Sequence, residues 1–156
     1  MSELNAQQAR EILSGSWGDG KDGVVASLSG LIEIPALSPA FDAAWAASGQ
    51  LHAAVAHVRD WIAARDLPDA RLDVVALAGR SPVLIADVPA TPGAEDRGTV
   101  LLYGHLDKQP PFEGWSDGLA PWQAVRRGDR LYGRGAVDDG YAGYAAVTAL
   151  EAVRGA

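Results

Sequence analysis

The sequence predicts an α/β fold, a central mixed sheet flanked by helices, and three observations carry that prediction. Apolar residues recur at helical spacing through residues 5–65, and short β-rich runs then occupy residues 72–103. A strand, a glycine-punctuated loop and an Ala-rich helix follow. Helices, then strands, then a strand leading into a helix describe a sheet that needs cover on both faces. The length of 156 residues suits one domain, and no internal repeat or low-complexity linker divides it. With 48% hydrophobic and 21% charged residues, the chain has the composition of an ordinary globular protein.

Each element has a local reason. Asn5 to Leu13 reads as a helix, and the Gly-rich WGDGKDG stretch separates it from the next. Val24, Val25, Leu28, Leu31 and Ile32 mark the inner face of a second helix, which Pro35 and Pro39 end. Leu51, Ala54, Val55, Val58, Trp61 and Ile62 form the apolar stripe of a third, running to about Arg65. Leu72–Leu77, Val83–Val88 and Thr99–Tyr103 are short β-rich runs separated by turn-forming residues. Trp122 to Tyr132 predicts a hairpin turning at Arg127-Gly128-Asp129, and a helix begins at Asp139. The expected division is therefore one domain over 1–156: helices over about 5–65, strands and site loops over about 71–138, and a helix over about 139–153. TALEAVRGA reads as an early turn of that helix, so the sequence predicts a truncated domain that continues past this point.

Charge and composition exclude several functions. A net charge of −7 opposes general affinity for nucleic acid or for anionic membrane. With no cysteine there is no disulfide, thiolate nucleophile or Cys-ligated zinc, so a metal must use His and carboxylate. The start, MSELNAQQAREIL, lacks the basic and apolar regions of a signal peptide, and no apolar run is long enough for a membrane span. A cytoplasmic location is the expectation.

Two motifs could carry chemistry. His105 and Asp107 follow the apolar run TVLLYG, at the C-terminal end of a strand, where α/β sheets place ligands. A neutral imidazole there can bind a divalent metal while a neighbouring carboxylate orients it; alternatively, His105 merely caps a loop. The second motif, Leu131 to Gly140 (LYGRGAVDDG), joins a strand, a Gly-rich loop and a helix start. A carboxylate in that loop could bridge two divalent ions about 3.5–4 Å apart, whereas Asp138 or Asp139 could equally be a helix N-cap.

Together, Tyr103-Gly104-His105-Leu106-Asp107, Trp115, Pro121-Trp122, Leu131 to Asp138 and the Ala-rich helix resemble the co-catalytic, dinuclear zinc peptidases. That family includes carnosinase-type dipeptidases, succinyl-diaminopimelate desuccinylase, aminoacylase and the glutamate carboxypeptidases. LIEIPALSP, at Leu31 to Pro39, resembles the family's opening segment, so the likeness runs from about Val24 onward. It implies the N-terminal portion of a zinc-peptidase catalytic domain that hydrolyses peptide or amide bonds. His105 would bind one zinc, Asp138 would bridge two, and Asp107 would orient the His105 ring. It also implies a cis peptide at Asp138-Asp139. Cobalt or manganese would be substitute metals, a small peptide or N-acyl amino acid the substrate, and a homodimer the assembly of a full-length protein.

The departures are equally specific. The family's adjacent glutamates, one a general base and one a ligand, have no counterpart, because no two glutamates are adjacent in the sequence. A later acidic ligand, a C-terminal His and an inserted lid domain are also expected of the family and have no match. Asp139-Gly140-Tyr141-Ala142 stands where many members have Lys-Gly. The competing reading is a catalytically silent fragment that acts as a structural or interaction module with a partner.

Other residues read as structural. His52 and His57 are separated by roughly 140° around their helix and do not share a metal; surface or interface roles are expected. The tryptophans read as packing residues, with Trp115 and Trp122 candidates for a cleft mouth. Arg127-Gly128-Asp129 reads as turn chemistry rather than adhesion, and WGDGKDG as a loop rather than a calcium site.

Overall fold

The computed structural model describes residues 6–17, 23–65 and 67–154. Helix α1 spans Ala6–Ser16, α2 Val24–Glu33, α3 Trp45–Ser48, α4 Gln50–Ala63 and α5 Tyr141–Arg154. The strands are β1 Arg71–Val75, β2 Val83–Asp87, β3 Val125–Arg127 and β4 Arg130–Tyr132. Among the described residues, α1, α2 and α4 coincide with the helical tracts of residues 5–65, and the short α3 follows the loop after Pro39. Asn5 and the Gly18–Asp22 part of WGDGKDG lie outside the described residues.

The core is helical. Val24, Leu28 and Leu31 of α2 meet Leu51, Ala54, Val58, Trp61 and Ile62 of α4, and Tyr144 and Val147 of α5 close the cluster. Trp61 and Tyr144 pack edge to face with centroids 4.6 Å apart. Two polar contacts tie this junction: Ser27 Oγ lies 2.9 Å from the Tyr144 hydroxyl, and His57 Nε2 lies 2.7 Å from the Ser27 carbonyl oxygen. His57 is thus a half-buried pin between α2 and α4, inside the fold and not in the surface or interface role expected of it, while His52 is exposed. Of the described tryptophans only Trp61 is buried, which narrows the expectation that the others would also be core residues.

The sheet differs most from expectation. Helices and strands are mixed as in an α/β fold, but a central mixed sheet is absent among the described residues. Two separate antiparallel pairs, β1–β2 and β3–β4, take its place. Leu72 and Leu84 touch the helical core, whereas the remaining β1–β2 side chains are exposed. Thr99–Tyr103 forms no strand. A ladder needs a neighbour to accept its N–H and C=O groups, and this run has none among the described residues. Val100, Leu101, Leu102 and Tyr103 are accordingly 84%, 89%, 56% and 82% exposed. Among the described residues, parallel pairing is reduced to a single bridge between Leu37 and Lys108.

The predicted hairpin is present, with Arg127 opposite Arg130 and Gly128 at φ +63° in the turn. The final helix starts two residues later than Asp139. Asp138 and Asp139 have non-helical backbone angles inside a wide turn over Ala136–Gly140, closed by the Gly140 N–H donating to Gly135 O at 2.9 Å. Among the described residues no helix is long and apolar enough to cross a membrane.

Candidate metal centre

The two chemical motifs, far apart in sequence, meet in space. His105 lies in the loop after the unpaired 99–103 run, and Asp138 lies in the turn before α5. His105 Nε2 and Asp138 Oδ1 are 3.3 Å apart. On the opposite side of the ring, His105 Nδ1 is 3.2 Å from Asp107 Oδ1 and 3.0 Å from the Asp107 carbonyl oxygen. The backbone N–H of His105 donates to Asp139 Oδ2 at 3.3 Å, so the second aspartate ties the two loops together. The Asp138-Asp139 peptide is cis, as the resemblance implied. All three residues singled out from the sequence, His105, Asp107 and Asp138, are brought together.

The hydrogen-bond pattern has a chemical consequence. Nδ1 faces two oxygen acceptors, so it carries the ring proton and donates it to Asp107. In the neutral ring Nε2 then presents a lone pair to Asp138, which also offers only lone pairs. Two such atoms 3.3 Å apart are reconciled by a cation between them, either a proton or a metal ion. Zinc held at about 2.0–2.1 Å from nitrogen and oxygen in a tetrahedron sets neighbouring ligand atoms about 3.3–3.4 Å apart. The donor pair fits that edge. Side-chain exposures of 35% for His105 and 62% for Asp138 leave the pair open to solvent. Among the described residues no larger group of His, Asp and Glu gathers as a complete metal cage.

The loop downstream carries its own order. Arg134 stacks over Phe112 at 5.0 Å and Trp115 at 5.6 Å, and Trp115 Nε1 donates to Pro111 O at 2.9 Å. Trp122 lies under Lys108, with Nζ 5.5 Å from the ring centroid. Sequence reasoning missed Lys108, which is 2% exposed. The one available signal was a charged residue directly after His105-Leu106-Asp107, where surface placement is the ordinary outcome.

Comparisons with known proteins place this geometry in context. Residues 101–156 match the model of peptidase family M20/M25/M40. A 46-residue stretch is 54% identical to succinyl-diaminopimelate desuccinylase of Novosphingobium aromaticivorans, covering 30% of this chain and 12% of the relative. The corresponding protein of Erythrobacter litoralis is 60% identical over 46 residues, again 30% of this chain and 12% of the relative. Human Beta-Ala-His dipeptidase is 37% identical over 73 residues, 47% of this chain and 14% of that protein. The matched stretches thus span 12% to 14% of the relatives' own lengths.

Proposed function

We propose, from the similarity of residues 101–156 to peptidase family M20/M25/M40, that this chain supplies the metal-positioning part of a zinc-dependent hydrolase of peptide or amide bonds. The observation that carries the reading is the 3.3 Å approach of His105 Nε2 to Asp138 Oδ1, with Nδ1 held from behind by Asp107. His105 and Asp138 would hold zinc, and Asp138 would bridge to a second ion. Zinc, when bound, makes water more acidic and polarises a carbonyl oxygen.

The chain's own residues do the positioning. The main-chain oxygen of Asp107, with its carboxylate beside it, accepts a hydrogen bond from Nδ1–H and so fixes the tautomer that leaves Nε2 free to ligate. Asp138 adds negative charge on the ligating side, and Asp139 holds the His105 amide. The proton-accepting role of the family's paired glutamates has no counterpart in this sequence. The names of the relatives, a desuccinylase and a dipeptidase, support a small peptide or N-acyl amino acid as substrate.

Zinc titration by calorimetry tests the assignment. The wild-type chain should bind zinc, Asp138→Ala should abolish binding, and Asp107→Ala should weaken it about 10–100-fold by removing the carboxylate behind Nδ1, although the main-chain oxygen of residue 107 still accepts from the ring. Zinc affinity that is indifferent to Asp138 would overturn the reading.

A second reading, a catalytically silent module that works with a partner, is supported by the exposed run Val100–Tyr103. It predicts Asp138-independent behaviour with zinc, together with self-association in sedimentation, since exposed apolar backbone without a ladder favours pairing.

A further inference from the structure

Lys108 lies where three parts of the chain meet. Its ammonium donates to the carbonyl oxygens of Leu31 and Ile34, and to that of Ile32 at 3.2 Å. Those carbonyls belong to the last turn of α2 and the residues just after it, at the negative end of the helix dipole, and those of Leu31 and Ile34 also accept from the backbone N–H groups of Ile34 and Ala36. All three ammonium donors are thereby directed at main-chain acceptors. The backbone of Lys108 is tied to the same segment: its N–H donates to Ala36 O at 2.8 Å, and its carbonyl accepts from Ser38 N at 3.0 Å.

The other side of Lys108 faces the Asp138 turn. Gly135 has φ +86°, and a Cβ placed there would lie 2.8 Å from Lys108 Cε, so the glycine is packed directly on the lysine methylenes. Gly135 O in turn receives the Gly140 N–H that closes the turn containing Asp138. The loop of His105 and Asp107, the end of α2 and the loop of Asp138 are therefore joined through one side chain.

We propose that Lys108 is a positioning residue for the candidate metal pair, holding the His105 and Asp138 loops at their observed separation by anchoring both to the C-terminal end of α2. This rests on the metal reading above. A helix end can be capped by water, and burying an ammonium is costly without full pairing, so capping alone does not call for a lysine here. The joint between the two loops does.

The test uses the 156-residue chain with zinc alone as the probe. Lys108→Met is titrated beside the wild type and Asp138→Ala, with circular dichroism at the same temperature reporting folding. Metal-free NMR follows the His105 ring nitrogens and exchange at the Lys108 and Ser38 amides. The expected result is a folded Lys108→Met chain that binds zinc at least about tenfold more weakly, as loss of outer support for a ligand does. Its His105 shifts should be altered and its Ser38 exchange faster.

Aminoethylation of Lys108→Cys in denaturant, followed by refolding, restores an ammonium at the only thiol in a sequence without cysteine, and should recover both properties. Wild-type zinc affinity and His105 shifts in Lys108→Met would overturn the positioning role while leaving the metal reading intact. Zinc binding indifferent to Asp138 would overturn the metal reading, and the metal-free His105 shifts then decide the positioning role alone. Should Lys108→Met fail to fold, exchange in the wild type decides: zinc must slow the Lys108 and Ser38 amides, and unchanged exchange counts against the proposal.

Discussion

The helical layer of α2, α4 and α5 and the extended region from residue 71 to residue 103 are both rich in apolar side chains, yet they are treated oppositely. In the helices Val24, Leu31, Ile32, Ala54 and Tyr144 are 0% exposed, whereas Val83, Ile85, Val100 and Leu101 are 53%, 46%, 84% and 89% exposed. A helix satisfies its own backbone and needs a neighbour only for its apolar stripe. A strand needs a neighbour for its backbone as well. Apolar content alone therefore does not decide burial: Val83 and Ile85 stay exposed even though β2 pairs with β1, so a strand face must also be covered by a packed neighbour.

The comparison can be broken by mutation. Leu31→Ala should destabilise the chain most, by about 2–5 kcal/mol in denaturant unfolding, because it opens a cavity where the helices meet. Leu101→Ser should change stability by about 0.5 kcal/mol or less, since its side chain is already in water. A large loss at Leu101 would show that the extended run is packed in solution, and the contrast between the regions would collapse.

A finer probe is pH, because two buried groups on the helical side titrate in opposite senses. Burial lowers the Lys108 ammonium from 10.5 to about 8. Between those values the unfolded chain binds a proton that the folded chain has released, so this group makes stability rise with pH. Burial raises the Tyr144 hydroxyl from 10.0 to about 12, against the opposing effect of its hydrogen bond to Ser27. Above pH 10 the folded chain keeps a proton the unfolded chain has lost, so stability falls. Unfolding curves from pH 8 to 12 should therefore rise and then decline, and Lys108→Met should lose the rising limb.

The helices were legible because their stripes are local: Leu51 through Ile62 repeat at a spacing that any reader of the sequence can check. His105, Asp107 and Asp138 were legible because their residue types and order carry chemistry. The central sheet was not, because nothing in Thr99–Tyr103 reports whether a neighbouring strand is at hand. Lys108 and His57 were hidden for a related reason. Their acceptors include backbone carbonyls, of Leu31, Ile32 and Ile34 for one and of Ser27 for the other, and every residue in the chain carries such a group.

Gly104 sits immediately before the proposed zinc ligand, and a Cβ there would stand 2.9 Å from the Cβ of Ala142 at the start of α5. The backbone bearing His105 thus rests on the helix that follows Asp139, with only a Cα hydrogen as spacer. That hydrogen works as a gauge block: it sets the clearance between two loops that each contribute one arm of the donor pair. A methyl group at position 104 would wedge the arms apart without touching either ligand, so the bite of the site is written partly in a residue that has no side chain.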